Sequence, residues 1–160
     1  MTPEPISNVD QDLAPLRAQI DALDTQLITL LNERAKLALA VGHVKQKYNQ
    51  PVFRPEREAQ VLEKIALRNP GPLPSHHLQA LWREVMSVCR AMEEAVKVAF
   101  LGPAGTYTEQ AMVKQFGHAI ESIDCSTIDD IFRTVEADGA AFGVVPIENS
   151  IEGAVNRTMD

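Results

Sequence analysis

The feature of this sequence that most constrains its fold is a long, unbroken helical pattern near the N-terminus. Residues 16–50 contain no proline and a single glycine, Gly42. Between Leu13 and Tyr48, apolar residues recur at alternating spacings of three and four, which is a heptad repeat. The pattern predicts one helix of about 35 residues, roughly 50 Å long. Such a helix is too long to pack on itself in a compact monomer.

Local signals mark both ends of this helix. Asp10 and Asp12 are suitable N-caps, Pro15 suits a first helical turn, and Pro51 ends the pattern. We expect residues 1–9, which are polar and acidic, to be disordered.

Two shorter helices are predicted next, from Pro55 to about Arg68 and from about Ser75, as N-cap, to about Val96. The proline-rich segment 69–74 separates them. Three helices of such unequal length leave much of the first one uncovered. We therefore expect a homodimer formed through the long helix.

The composition excludes several classes of protein. The 160 residues are 45% hydrophobic and 23% charged, as in ordinary globular proteins, with 5% aromatic residues and a net charge of −7. An acidic chain with few stacking side chains is a poor candidate for nucleic-acid binding. We expect no membrane span, because no run of about 18 apolar residues occurs, and no secretory signal. Cys89 and Cys125 lack metal or redox spacing, so we expect free thiols, no metal or cofactor, and a cytoplasmic protein.

The sequence changes character near Lys97. Residues 1–96 have a net charge of −1, and residues 97–160 have −6. In the second part, predicted strands at 98–101, 120–125 and 141–146 alternate with helices at 108–116 and 128–135, and a loop at 147–150 precedes another helix. This alternation predicts an α/β domain with a parallel sheet, whose ligand sites lie at the carboxyl ends of the strands. We expect two domains, 10–96 and 97–160.

Four polar residues stand out in the helical part. Arg34 occupies a core position of the heptad, and Lys45 lies on the same face about 16 Å along the axis. Two such cations would hold a small dianion between them. Glu58 and Glu93 lie on the apolar faces of the next two helices. Each residue alone has an ordinary explanation, as a register-setting arginine, a surface lysine, a helix-dipole partner and an exposed helix-end carboxylate.

In order and spacing, these residues resemble the all-helical chorismate mutase family over about residues 10–96. The matching residues are Leu16-Arg17, Ile20-Asp21, Leu23-Asp24, Leu30-Leu31, Glu33-Arg34, Val41-Gly42, Lys45, Pro51-Val52 and Arg57-Glu58. The resemblance implies a three-helix domain in an intertwined dimer that isomerises chorismate to prephenate, with Arg17 borrowed from the partner subunit. Geometry agrees with this borrowing. Arg17 and Arg34 lie roughly 25 Å apart along one straight helix and about 100° apart around it, so they cannot both bind one small ligand within a single chain.

The resemblance also implies the role of each residue. The implied substrate-binding residues are Arg17, Arg34, Lys45, Arg57, Glu58, Cys89 and Glu93, of which Arg34, Lys45 and Glu93 are catalytic. Arg17 and Arg34 would bind carboxylates, for which guanidinium groups are suited. Lys45 would contact the ether oxygen and a carboxylate. Glu58 would accept a hydrogen bond from the ring hydroxyl.

Three positions depart from the best-known pattern of this family. Arg54 replaces an aspartate, Cys89 replaces a serine, and Glu93 replaces a glutamine that donates to the ether oxygen. A carboxylate cannot donate, but a carboxylic acid can. The apolar stripe of Trp82, Met86 and Cys89, which Glu93 continues, favours the neutral form of Glu93, so we expect mutase activity to rise toward acid pH.

Two segments of the second part resemble prephenate dehydratase. They are residues 98–109, VAFLGPAGTYTE, and residues 143–153, GVVPIENSIEG. The first is neither a dinucleotide fingerprint nor a Walker loop, and the residues alone indicate only a small acid or anion near a helix N-terminus. The resemblance implies a two-lobed fold like that of periplasmic binding proteins, with Thr106, Thr108, Glu148 and Asn149 in the cleft.

A mutase domain followed by dehydratase motifs resembles the bifunctional P-protein family of phenylalanine biosynthesis. The catalytic Thr-Arg-Phe motif, second lobe and regulatory domain of that family do not occur in the 160 residues. We therefore expect an N-terminal fragment without dehydratase activity. Two other interpretations stay open: a helical dimerisation module, and a protein that binds small acids without catalysis. The Arg34→Leu variant would separate the dimerisation module from an enzyme, because this substitution would stabilise a purely structural helix without loss of function.

Overall fold

The first three helices form one layered unit. The protein is described by a computed structural model that covers residues 8–149 and 153–159. Helix α1 spans Asn8–Lys47, α2 spans Pro55–Arg68 and α3 spans Ser75–Glu93. Helix α3 packs against both α1 and α2. The predicted all-helical first part is confirmed.

Helix α1 begins earlier than the sequence predicted. It starts at Asn8, so Asp10 and Asp12 lie within the helix and do not cap it, and Pro15 is an interior residue. A proline there removes one backbone hydrogen bond, and the residues beside it are exposed to solvent. Of the residues expected to be disordered, 1–7 lie outside the described residues, and Asn8 and Val9 are helical.

The end of α1 is set by Asn49 rather than by Pro51. Asn49 has a φ of 53°, the left-handed conformation that commonly follows a helix. Its N–H donates to Gln46 O at 3.1 Å, and the N–H of Gln50 donates to Lys45 O at 2.9 Å. This pair of hydrogen bonds is a Schellman motif, and it ends the helix before the proline is reached.

Helix α3 also differs from its prediction at both ends. Pro74 is its N-cap and Ser75 is the first helical residue. The Ser75 hydroxyl instead accepts from the Asn69 side chain at 3.1 Å. The helix ends at Glu93, not Val96, because Glu94 is already extended with a φ of −160° and leads into the first strand.

The second part is built on a three-stranded parallel sheet, as predicted. Strands β1 (Lys97–Leu101), β2 (Glu121–Cys125) and β3 (Phe142–Val144) are ordered β2-β1-β3. Helices α4 (Tyr107–Phe116) and α5 (Ile128–Glu136) form the crossovers. Strand β3 is shorter than the predicted 141–146.

The segment after β3 is not the plain loop that was predicted. Glu148–Asn149 forms a short strand, β4, which pairs antiparallel with β5 (Gly153–Ala154). Helix α6 (Asn156–Met159) follows, in agreement with the expected helix. Within the part of the chain that the structure describes, no helix has the length and apolar character needed to cross a membrane.

The helical part and the sheet share one apolar core. Phe53, from the segment between α1 and α2, is buried with β1 and α4 residues. Its ring centroid lies 5.0 Å from that of Phe116 and 5.2 Å from that of Phe142. The sheet is thus packed against the helical unit, close to the ends of α2 and α3 that carry the polar residues described next.

Candidate active site

A pocket of about 310 Å³ opens between the three helices. This volume suits a small metabolite rather than a macromolecule. Its polar lining is rich in cations, whose charge would attract an anionic ligand. The lining residues are Arg34, Leu37, Ala38, Val41, Lys45, Val52, Arg54, Arg57, Glu58, Val61, Met86, Cys89, Arg90 and Glu93.

Arg34 and Lys45 project into this pocket from α1. The Arg34 guanidinium donates from Nη1 to Cys89 Sγ at 3.4 Å. The Lys45 ammonium donates to Val52 O at 2.7 Å, and its Nζ lies 4.0 Å from Oε2 of Glu93. With a side chain only 23% exposed, Lys45 is held in the pocket and is not an ordinary surface lysine.

Glu93 is buried beside the only glycine of α1. Its side chain is 6% exposed, and Oε2 has no hydrogen-bond partner within the described chain. A Cβ atom added to Gly42 would lie 2.6 Å from that oxygen, so the glycine makes room for the carboxyl group. The ordinary explanation of Glu93, an exposed carboxylate at a helix end, is therefore wrong. This buried oxygen pairs with the Lys45 charge at 4.0 Å but makes no hydrogen bond within the described chain, so it can bond to a ligand.

Glu58 faces the same pocket from α2 and is paired with Arg90 of α3. Glu58 Oε1 lies 2.7 Å from Arg90 Nε, and the side chains are 16% and 6% exposed. Burial raises the pKa of Glu58 above its ordinary value, while the charges of Arg90, Lys45 and Arg83 lower it in part. Burial lowers the pKa of Arg90, opposed chiefly by the charge of Glu58. The helix-dipole explanation of Glu58 is thus incomplete.

Comparison with known families decides what this pocket belongs to. Residues 16–94 match the family described as chorismate mutase type II, and residues 98–160 match the family described as prephenate dehydratase. The chain belongs to these two families, joined in that order. The mutase match contains every lining residue of the pocket.

Relatives carry the same pair of domains. Proteins named bifunctional chorismate mutase/prephenate dehydratase are 49% identical in Neisseria gonorrhoeae, over 95% of this chain, and 50% identical in Pseudomonas aeruginosa, over 94% of it. The chain spans only 41% and 43% of the lengths of those relatives. A solved chorismate mutase (form II) from Thermus thermophilus is 28% identical, with a TM-score of 0.51, and the match covers 52% of this chain and 94% of that one.

The structure gathers most of the residues that the sequence proposed for the mutase site. Arg34, Lys45, Arg57, Glu58, Cys89 and Glu93 all line the pocket. Arg17 does not, because it lies far along α1, exposed, with Nη1 3.9 Å from Asp10 Oδ1. Sequence reasoning missed Arg90. The available signal was its spacing of four from Met86, which places it on the apolar row that begins at Trp82.

The residues proposed for the dehydratase cleft lie on two separate elements. Thr106 is the N-cap of α4, where its hydroxyl accepts from Glu109 N at 3.5 Å and donates to Leu101 O at 3.3 Å. Thr108 lies in the first turn of that helix. Glu148 is exposed on β4, beside Asn149. Thr106 thus has the structural role of a turn residue, and a shared cleft stays a prediction.

Proposed function

We propose that this chain catalyses the rearrangement of chorismate to prephenate in the pocket between α1, α2 and α3. The observation that carries the proposal is the convergence of Arg34, Lys45, Glu58 and Glu93 on one small cavity within the matched mutase domain. Two cations face the cavity from α1, and a buried carboxyl oxygen without a hydrogen bond in the described chain faces it from α3. These groups match the charges of a compact dianion with an ether bridge and a hydroxyl group.

The proposed chemistry needs positioning and electrostatic stabilisation only. The rearrangement is intramolecular, so the protein has to hold the substrate in its reactive shape and stabilise charge on the breaking ether oxygen. Arg34 would bind a carboxylate, and Lys45 would contact the ether oxygen. Glu58 would accept from the ring hydroxyl. Glu93, when protonated, would donate the second hydrogen bond to the ether oxygen.

We further propose that the active form is a homodimer in which Arg17 completes the partner's site. The apolar residues of the α1 heptad are half or more exposed in the single chain: Leu16, Ile20, Leu23, Leu27, Leu30, Leu37, Val41 and Val44. A face of this kind is stable in water when another apolar surface covers it. Arg17 lies on the same helix, too far from the Arg34 pocket to act within one chain.

The first test is to follow chorismate consumption by the purified chain from acid to neutral pH. We expect prephenate to form, and to form faster as Glu93 becomes protonated. The Glu93→Gln variant always donates, so its pH profile should be flatter. Two cations lie near Glu93: Lys45 from α1, whose Nζ is 4.0 Å from Oε2, and Arg90 on the same helix as Glu93. An acid rise that survives in Glu93→Gln removes Glu93 from this role.

A non-catalytic binding or dimerisation module is the second candidate, favoured by the exposed heptad alone. In that case chorismate would be returned unchanged, and Arg34→Leu would raise stability without loss of function. For residues 98–160 we propose dehydratase ancestry without activity in this 160-residue polypeptide, tested by assaying phenylpyruvate against the spontaneous reaction. The buried, free thiols of Cys89 and Cys125 support a proposed cytoplasmic location.

A further inference from the structure

Arg90 links the candidate mutase site to the sheet. It is 5% exposed on α3 and touches both parts of the chain. Its Nε lies 2.7 Å from Glu58 Oε1, and its Nη2 donates to the backbone carbonyl of Phe116 at 2.6 Å. Its guanidinium also lies 4.6 Å from the centre of the Phe53 ring. The guanidinium is therefore fixed on three sides, and only one of them belongs to the pocket.

We propose that Arg90 is a positioning residue for the mutase reaction: it holds the Glu58 carboxylate in the pocket, and the sheet fixes Arg90 in turn through the Phe116 carbonyl. The inference rests on the mutase function proposed above. It assigns the second domain a part in the reaction of the first. No substrate contact by Arg90 is required.

The electrostatic argument is that Glu58 cannot stay ionised at this depth unaided. A carboxylate with a side chain 16% exposed loses hydration, and proteins compensate such groups with a paired cation or neutralise them. Lys45 from α1 and Arg83 from α3 also face Glu58, but Arg90 alone makes close contact in the described chain. Removing Arg90 would leave a buried carboxylate without its close counter-ion and would raise the pKa of Glu58 further.

The positional argument is that the sheet determines where the guanidinium lies. Helix α4 ends at Phe116, and Gly117 follows it with a φ of 79°. An added Cβ at Gly117 would overlap the Ser87 side chain of α3, so only glycine lets this turn approach α3 so closely. The Phe116 carbonyl is thereby brought within hydrogen-bond distance of Arg90. A substitution in the turn would move the acceptor without touching the pocket.

The experiment compares Arg90→Leu, Arg90→Lys and Gly117→Ala in the full chain, with Arg68→Leu, an exposed arginine of α2, as the matched control. Two quantities are measured. One is the titration midpoint of the Glu58 carboxyl carbon by NMR, assigned with Glu58→Gln. The other is the pair kcat and KM for chorismate. Circular dichroism establishes that each variant is folded.

In Arg90→Leu we expect the Glu58 midpoint to rise by about one to three pH units. We also expect KM to rise about tenfold with little change in kcat, because the ring hydroxyl is held equally before and during the reaction. Arg90→Lys keeps the charge, so its Glu58 midpoint should lie close to the wild-type value. Gly117→Ala should move the midpoint and KM in the same direction by less, and Arg68→Leu should change neither.

The proposal is overturned if the Glu58 midpoint does not move in folded Arg90→Leu. A large change in KM with an unchanged midpoint would mean that Arg90 binds the substrate directly. A folded Gly117→Ala with wild-type values overturns the part played by the sheet. If Arg90→Leu does not fold, Arg90→Lys and Gly117→Ala decide the question. A shifted midpoint in a chain without mutase activity would support the Glu58–Arg90 link and overturn the proposed function instead.

Discussion

Gly42 occupies a position where helix stability and site geometry make opposite demands. Alanine is the better helix former by about 0.5–1 kcal/mol, yet a Cβ there would lie 2.6 Å from the Glu93 carboxyl oxygen. We expect Gly42→Ala to displace Glu93 and to lower kcat/KM roughly a hundredfold, as misplaced catalytic groups do. Steady-state kinetics with chorismate measures this loss.

A Glu93→Ala background is the control for this steric explanation. With the carboxylate removed, Gly42→Ala should cost no further activity and should stabilise the helix, so the two substitutions would be strongly non-additive. Additive losses would show that Gly42 acts in some other way, through α1 itself.

Glu58 makes stability depend on pH in a known direction. Its pKa in the folded chain is raised above the ordinary value of 4.5 by burial, so the folded state holds the proton more tightly than the unfolded state. This contribution to stability is complete below the ordinary pKa and is lost as pH rises through the raised one. Glu58→Gln should therefore gain stability relative to wild type as pH rises across that interval.

Urea unfolding at a series of pH values measures this difference. Glu56→Gln, on the exposed face of the same helical turn, provides the matched comparison and should follow the wild type. A constant difference between Glu58→Gln and wild type across the interval would mean that Glu58 ionises in the folded chain as readily as in the unfolded one.

At the scale of elements, the contact between α3 and the α4–β2 turn holds the two parts of the chain together. Ser87 is fully buried, and its Oγ accepts from Ala119 N at 3.1 Å. Beside it, Glu84 accepts from His118 N at 3.2 Å and contacts Nδ1 of the same residue at 2.8 Å. These contacts place the sheet against α3 through side chains of one helix and, in the turn, two backbone N–H groups and the His118 ring.

Ser87→Ala should loosen this contact. The Ala119 N–H would lose its acceptor, at a cost of about 1–3 kcal/mol in the free energy of unfolding. Chemical denaturation measures the change, and Ser126→Ala, an exposed serine, serves as the comparison. Equal stabilities for the two variants would mean that water replaces the serine hydroxyl at this junction.

Most elements could be predicted from the sequence because local signals specify them. Thr127, for example, caps α5, with its hydroxyl accepting from Asp130 N at 3.1 Å. The predicted end of α1 was wrong because Pro51 is a stronger sequence signal than Asn49, whose left-handed conformation ends the helix first. The strand at Glu148 was missed because a two-residue strand has no periodicity of its own.

The candidate site was predictable where its residues share a helix and a spacing. Arg34 and Lys45 are related by helical geometry, and Glu58 and Glu93 interrupt apolar faces. Arg90 was missed because its importance depends on Phe116, which lies 26 residues away in the other domain. No local pattern contains that contact.

At the scale of the whole molecule, the exposed heptad face is the main support for the proposed homodimer. Leu30 is 60% exposed and Leu37 is 70% exposed on α1. Burying such side chains releases about 25 cal/mol for each Å² removed from water. An antiparallel partner along α1 would cover this face and would carry Arg17 to the far pocket, which a single straight helix cannot do.

Mixing two inactive variants tests this arrangement. Arg17→Ala and Arg34→Ala should each be nearly inactive as homodimers, because every site lacks one arginine. In a mixed dimer, the site built on the Arg17→Ala chain keeps its own Arg34 and receives Arg17 from the other chain. The second site lacks both. An equimolar mixture, unfolded and refolded together, should thus recover about a quarter of wild-type activity, since half of the dimers are mixed and half of their sites are intact.

The control is the same pair of variants mixed without exchange of subunits, which should stay inactive. Two variants of the same chain position, such as Arg34→Ala with Arg34→Leu, should recover nothing after exchange. If Arg17 acted within its own chain, no site of a mixed dimer would be complete and the refolded mixture would remain inactive. Recovery by complementary arginines alone therefore requires a site built from two chains, because neither chain can supply both side chains to one pocket.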